Sequence, residues 1–322
     1  MEENKPFPEV NPVFKSFLQI ITLIGLYMVF AIIAVTVASQ ITRLITGVNI
    51  QLDIEQLDYT NLNSHAIFGY KLFQLIASIG TFIVTALVFA KFFAREKLER
   101  FFGFSEVFPS PKILGLTFII ALSAIPLLSY IVYLNKQIPL PDDIAKMATQ
   151  LQTSNDAFYK VMLQTPSIGV LFFNLLVVAL VPAIGEELLF RGAFMQLFYR
   201  FFKDKIHAAI IIVAILFSAM HLQYYSFLGI ILMGIVFGYL YYWSGNIMVS
   251  IWAHFINNGT IVLFAYLTEH NSDLEFMTYD YEFSPLVSLI SGAVMVGAIY
   301  LFYKTTRQYH AIEEIDTSTE ED

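Results

Sequence analysis

Residues 171–202 read LFFNLLVVALVPAIGEELLFRGAFMQLFYRFF. Apolar side chains fill almost the whole stretch. As a helix rising 1.5 Å per residue it is long enough to cross about 30 Å of hydrocarbon. Glu186, Glu187 and Arg191 stand inside it. Ionisable groups within a membrane span are costly and are found mostly where they do chemistry or bind. The stretch therefore predicts a membrane helix that carries part of a functional site.

The rest of the chain agrees. Of 322 residues 57% are hydrophobic and 14% charged, and the mean hydropathy is +0.66. A soluble domain is roughly 45–50% apolar and about 25% charged. A single soluble core of this size cannot hide that excess, so it must face lipid. This excludes a secreted disulfide scaffold and a disordered chain. The 18 Lys and Arg against 26 Asp and Glu give a net charge of −8. No basic surface is available to neutralise phosphates, so no nucleic-acid partner is expected. With no cysteine there is no thiol nucleophile and no thiolate metal ligand.

Working outward, eight spans are predicted: Phe17–Ser39, Ile67–Phe93, Ile113–Leu134, Leu171–Phe202, Ile206–Leu222, Phe227–Trp243, Ile247–Leu267 and Leu286–Tyr303. The expected fold is all-α, a polytopic helical bundle of about eight transmembrane helices. The first span is too long for a signal-peptide core and is read as an uncleaved anchor. Lys5, Lys15, Lys91, Arg95, Lys97, Arg100, Lys112, Arg200, Lys203, Lys205, Lys304 and Arg307 all fall on one side of an eight-crossing bundle. By the positive-inside rule that side is cytoplasmic, and so are both termini. The expected location is a bacterial plasma membrane, with the lipid bilayer as the surrounding partner. Between the third and fourth spans, Ile144, Met147, Ala148 and Leu151 recur at helical spacing. They predict an amphipathic helix at the outer surface, serving as a lid or as a spacer. Residues 1–308 read as one membrane domain with a core at about 171–267. Residues 309–322 read as an acidic, disordered cytoplasmic tail.

Three segments place polar groups in apolar surroundings. In the first, Glu187 and Arg191 are i,i+4 and can pair, which leaves Glu186 without that cation. A carboxylate so placed can act as a general base. The second is Phe217-Ser-Ala-Met-His221 and the third His254-Phe-Ile-Asn-Asn258. His254 and Asn258 share a face, while Asn257 is expected to point elsewhere and only pack. Measured along each helix from the cytoplasmic side, Glu186 lies roughly 21 Å in, His221 roughly 24 Å and His254 roughly 12 Å. The last value is the odd one out.

GxSxG, HExxH, GxGxxG and the P-loop are all absent. A carboxylate with an imidazole can deprotonate water. A second imidazole with a carboxamide can donate hydrogen bonds to an oxyanion. Glu186, His221 and His254 could instead hold Zn²⁺ with water in the fourth position, and the sequence leaves these two mechanisms open.

Glu186-Glu187-x-x-x-Arg191, Phe217-x-x-x-His221 and His254-x-x-x-Asn258 together resemble the three motifs of the CAAX prenyl endopeptidase and bacteriocin-processing (CPBP, or Abi) intramembrane proteases. The resemblance implies that Glu186 and His221 activate water and that His254 and Asn258 form an oxyanion hole. It also implies an α-helical membrane fold whose cavity opens to the cytoplasmic side. The expected substrate is a hydrophobic or prenylated peptide, or a membrane protein. The family has been called metalloproteases. A metal-free mechanism is nevertheless favoured here, because a carboxamide at Asn258 suits an oxyanion better than zinc. The alternatives are a transporter or proton pathway using the same residues, and a non-catalytic bacteriocin-immunity protein.

Overall fold

The computed structural model describes residues 11–50, 62–94, 97–105, 107–271 and 282–319, with side chains as far as Arg307. The described residues are helical and contain no strand. In chain order we label α1 Pro12–Thr46, α2 Ser64–Ala94, α3 Leu98–Phe102, α4 Pro111–Lys136, α5 Asp142–Leu163, α6 Ile168–Phe201, α7 Ile206–Met220, α8 Phe227–Ser244, α9 Ile247–His270 and α10 Pro285–Thr319. Seven of these, α1, α2, α4, α6, α8, α9 and α10, are long and apolar enough to cross a membrane, and α7 is a shorter apolar helix. This is the expected bundle of about eight membrane helices.

The ends of the helices follow from local chemistry. Asn11 caps α1 by accepting from the Val13 N–H at 2.9 Å, with Pro12 in the first turn where its missing donor costs nothing. Gly47 ends it in the left-handed region at φ 71°. The outer helices α1 and α10 expose Phe14, Met28, Ile32, Leu286, Leu289 and Val296. In water such surfaces would aggregate, whereas against lipid they are the expected exterior. The inner helices are α6, α8 and α9.

Hydrogen bonds between connections settle which helix ends lie together. Ile247 N–H donates to Gly103 O at 3.1 Å, and Asn246 donates to Val107 O at 3.2 Å. Gln196 bonds Phe101 O. These contacts gather the α2–α4, α6–α7 and α8–α9 connections at one end, the end that carries Lys97, Arg100, Lys112, Arg200, Lys203 and Lys205. At the other end Lys71 Nζ donates to Gln164 O at 2.6 Å and Thr165 N–H donates to Glu269 at 2.6 Å. There, Asn135 also joins the α4 end to the start of α8 through Tyr224 O and Leu228 N–H. The grouping is the one an eight-crossing bundle requires.

The amphipathic helix forms as α5, but only part of its expected apolar stripe faces inward. Ala148 is buried, whereas Ile144 and Met147 are exposed; the tighter packing comes later, at Val161, Met162 and Leu163. The backbone of α10 is helical through Thr319, into the 309–322 segment read above as a tail. Residues such as Ala311, Glu313 and Glu314 are good helix formers, so a helix already begun propagates through them at little cost. Residues 320–322 of that tail lie outside the described residues.

Candidate active site

Two features of α6 shape the first motif. Pro182 has no N–H to donate to the carbonyl of Val178. The helix also widens to π geometry over Leu175–Leu180 and Leu188–Phe194, immediately before and after the segment that ends at Glu187. Such π segments recur where a helix is shaped for function. Arg191 sits in the second of them, with its side chain buried. Its Nη1 donates to Glu187 Oε1 at 2.7 Å and its Nη2 to Gly234 O at 3.0 Å. The guanidinium also lies 4.9 Å from the ring centre of Phe217 and 5.4 Å from that of Phe237. A charge taken this deep is held by a counter-ion, a carbonyl and two π faces.

Glu186 has no such cation. Its Oε2 is buried without a hydrogen-bond partner among the described residues. It lies 3.9 Å from His221 Nε2 and 3.8 Å from His254 Nε2. His221 caps the end of α7, where Leu222 at φ 53° stops the helix. Its Nδ1 is 2.7 Å from Phe217 O. That contact makes Nδ1 a protonated nitrogen and leaves Nε2 facing Glu186. His254 places Nδ1 2.9 Å from Glu187 Oε1 and stacks on Phe237 with centroids 5.1 Å apart. Fifteen residues make α7 only about 22 Å long, so its far end stops inside the bundle. A helix end at that depth is tolerated because it lines a cavity.

The shallow depth expected for His254 has a structural cause. The N-terminus of α9 is roofed by α3 and the Gly103 turn, with Phe101 and Phe102 fully buried. Ile247 packs beside Gly192 of α6, where a Cβ would lie 3.4 Å from Ile247 Cδ1. From that shared level, Glu186 is six residues along one helix and His254 seven along the other, about 9 and 10 Å. The two side chains are level because α9 starts deeper than α6 ends.

Asn258 donates its Nδ2 to Val178 O at 3.4 Å, the carbonyl that Pro182 cannot serve. Its Oδ1 accepts from Asn257 Nδ2 at 3.1 Å. Asn257 therefore does not point away as the helical spacing suggests; it lines the same cavity. The cavity holds about 670 Å³ and takes in Glu186, His221, His254 and Asn258 together. Sequence reasoning missed Tyr159 and Gln223, which also line it and are joined by a 3.3 Å bond from Gln223 Nε2 to the phenol. Burial pushes the Tyr159 phenol up, Gln223 opposes this, and Glu186 adds to it. Tyr159 thus stays a hydrogen-bond donor. The clue to Gln223 was its place two residues after His221; Tyr159 gave none.

The donor chemistry for a metal is present, since both histidines direct Nε2 at Glu186. The spacing is less suitable. Ligands of a tetrahedral zinc with bonds of about 2.0–2.1 Å stand about 3.3 Å apart, less than the 3.8 and 3.9 Å here. Among the described residues no group of three His, Asp or Glu side chains is arranged to hold a metal ion.

The exposed part of the cavity wall and the side chains of Lys15 and Arg307 lie at opposite ends of the bundle. The exposed wall residues Tyr133, Lys136 and Glu282 are all at the end away from Lys15 and Arg307.

No curated protein and no solved structure matches the chain. Residues 168–260, from the start of α6 to two residues past Asn258, match the family model described as type II CAAX prenyl endopeptidase Rce1-like, so the resemblance carried by the three motifs is to this family.

Proposed function

We propose that the protein is an intramembrane endopeptidase that hydrolyses a peptide bond in a hydrophobic or prenylated peptide with a water molecule as nucleophile. The observation that carries this reading is Glu186 Oε2, unpartnered and facing two imidazole nitrogens inside a cavity of about 670 Å³. Water between Glu186 and His221 loses a proton to the carboxylate as its oxygen adds to the scissile carbonyl carbon. The tetrahedral oxyanion is met by His254 and by the second N–H of Asn258, whose first is committed to Val178 O. Glu186 then returns the proton to the departing amine, so that no net proton is gained or lost. His254 presents Nε2 to the oxyanion while Glu187 holds its Nδ1.

The wall of the site supports hydrolysis over a proton pathway. Toward the cationic end it is closed by Phe190, Phe217 and Phe237, packed around Arg191, and a relay would need polar groups there. The test is purified protein against a quenched library of prenylated and hydrophobic peptides, wild type beside Glu186→Gln. Wild type should cleave, and Glu186→Gln should lose about 10²–10⁴-fold while melting like wild type. Equal cleavage by both would remove Glu186 from the chemistry, and no cleavage by either would remove the peptidase reading.

A further inference from the structure

α1 lies outside the matched residues 168–260, yet it contributes a side chain to the cavity. The wall that holds Glu186, His221, His254 and Asn258 also includes Tyr27. Two close approaches carry that residue there. A Cβ on Gly80 of α2 would lie 2.6 Å from Ala34 Cβ of α1, and a Cβ on Gly185 of α6 would lie 2.8 Å from Phe82 Cβ of α2. Each glycine lets two helices meet where a Cβ would force them apart. α1 is thereby drawn onto α2, and α2 onto the turn of α6 that carries Glu186. The Tyr27 ring packs on Phe82, with 5.9 Å between centroids.

The ring is anchored, but the hydroxyl is not. Among the described residues none hydrogen-bonds the Tyr27 hydroxyl, and its oxygen is not sealed inside the protein. Glu186 is near enough to act on it electrostatically. A tyrosine with a packed ring normally finds a partner for its O–H. Here the partner has to come from what fills the cavity.

α6 is packed by α1 and α2 and also by α9. The phenol therefore reaches the site from the α1–α2 side, whereas His254 and Asn258 reach it from α9. In an extended peptide successive carbonyls point in opposite directions, as successive side chains do. When the scissile carbonyl is turned to the α9 donors, the carbonyl next to it is turned away from them. In an apolar cavity that second carbonyl costs free energy unless a donor meets it.

We propose that Tyr27 is a substrate-binding residue of the site, donating its O–H to the main-chain carbonyl adjacent to the scissile bond. This rests on reading the cavity as the hydrolytic site. The ligand it recognises is the backbone of an extended peptide, which it holds across Glu186 whatever side chains the peptide carries.

The test uses a peptide that wild type cleaves and two analogues of it. In each analogue the amide on one side of the scissile bond is replaced by an (E)-alkene, which keeps the extended shape and removes the carbonyl. Tyr27→Phe keeps the ring on Phe82 and should melt like wild type. It should raise KM for the parent peptide about 3–10-fold and leave kcat within about twofold, since the bond is made equally in the ground and transition states. For one of the analogues wild type should show the same rise, and Tyr27→Phe should add nothing to it. An unchanged KM in Tyr27→Phe would overturn the assignment. So would a rise that persists undiminished with both analogues, because packing alone would then account for it. Wild type cleaving no peptide would remove the hydrolytic reading and this proposal with it, a result distinct from either of those.

Discussion

His254 turns its Nδ1 toward Glu187, 2.9 Å from the same Oε1 that accepts from Arg191 at 2.7 Å. Glu187 is thus more than the counter-ion of the arginine. One carboxylate oxygen fixes a buried cation on its own helix and orients the imidazole of a second helix. A carboxylate behind a functional histidine sets both its ring orientation and which nitrogen carries the proton. The two motifs are mechanically one unit.

Glu187→Ala should therefore fail twice, in ways that can be separated. It strands Arg191 as a buried unpaired charge, which costs about 3–5 kcal/mol. The double variant Glu187→Ala/Arg191→Met removes the stranded charge and should recover much of that loss in detergent melting. It should not recover hydrolysis, because His254 still lacks its partner. A double variant no more stable than the single would mean that the ion pair is not what holds Arg191. A double variant with restored activity would mean that Glu187 does not orient His254.

The residues legible from sequence were those whose signal is local. Glu186, His221, His254 and Asn258 declare themselves as polar groups in apolar runs, and the Glu187–Arg191 pair follows from helical spacing alone. What was not legible depends on how helices are placed against each other. The link from Glu187 to His254 spans 67 residues and needs the rotation of α9 about its own axis. The depth of His254 needs the α3 roof, which is a loop feature. Asn257 was misassigned because ideal helical spacing sets it aside from Asn258, whereas the cavity is broad enough to reach both. Tyr159 belongs to a helix outside the spans, where a tyrosine is unremarkable by composition.

Asn258 is positioned by a helix defect, and that relation predicts opposite effects on stability and rate. Pro182→Ala restores an N–H that can serve Val178 O and so competes with the Asn258 amide. A proline inside a helix costs about 3 kcal/mol, so the variant should melt higher than wild type. With Asn258 released from Val178, kcat should fall while KM changes little, since an oxyanion donor acts mainly in the transition state. Asn258→Ala should show the larger loss, about 10²–10³-fold in kcat. A Pro182→Ala variant at least as active as wild type would detach Asn258 from the role given to it.

Gly234 is required by the packing of α7 on α8 beneath the site. A Cβ there would lie 2.9 Å from Ala214 Cβ and 3.0 Å from Ala214 Cα. Neither atom can swing aside, and the carbonyl of Gly234 holds Arg191 at 3.0 Å. Gly234→Ala should cost about 1–3 kcal/mol through forced separation of the helices. Gly238→Ala provides the comparison: its Cβ would meet Ile210 Cγ2 at 2.9 Å, a side-chain methyl rather than a backbone atom. Melting should rank Gly234→Ala below Gly238→Ala. The reverse order would show that the α7–α8 contact is looser than the geometry indicates.

Metal dependence divides the two mechanisms open to these residues. His221 and His254 both aim Nε2 at Glu186, but the 3.9 and 3.8 Å separations are wider than the about 3.3 Å of an ideal tetrahedral zinc shell. Asn258 also has no place in such a shell, whereas the oxyanion reading uses it. Chelation of the purified, active protein should accordingly leave the rate within about twofold, far short of the 10²–10⁴-fold that loss of the water-activating step costs. His254→Ala should lower kcat without changing the metal content measured by elemental analysis. His254→Gln, which keeps an N–H donor but is a poor ligand, should retain more activity than His254→Ala. One zinc bound per active chain, removed by chelation together with activity and lost in both His254 variants, would transfer the activation of water from Glu186 to the metal.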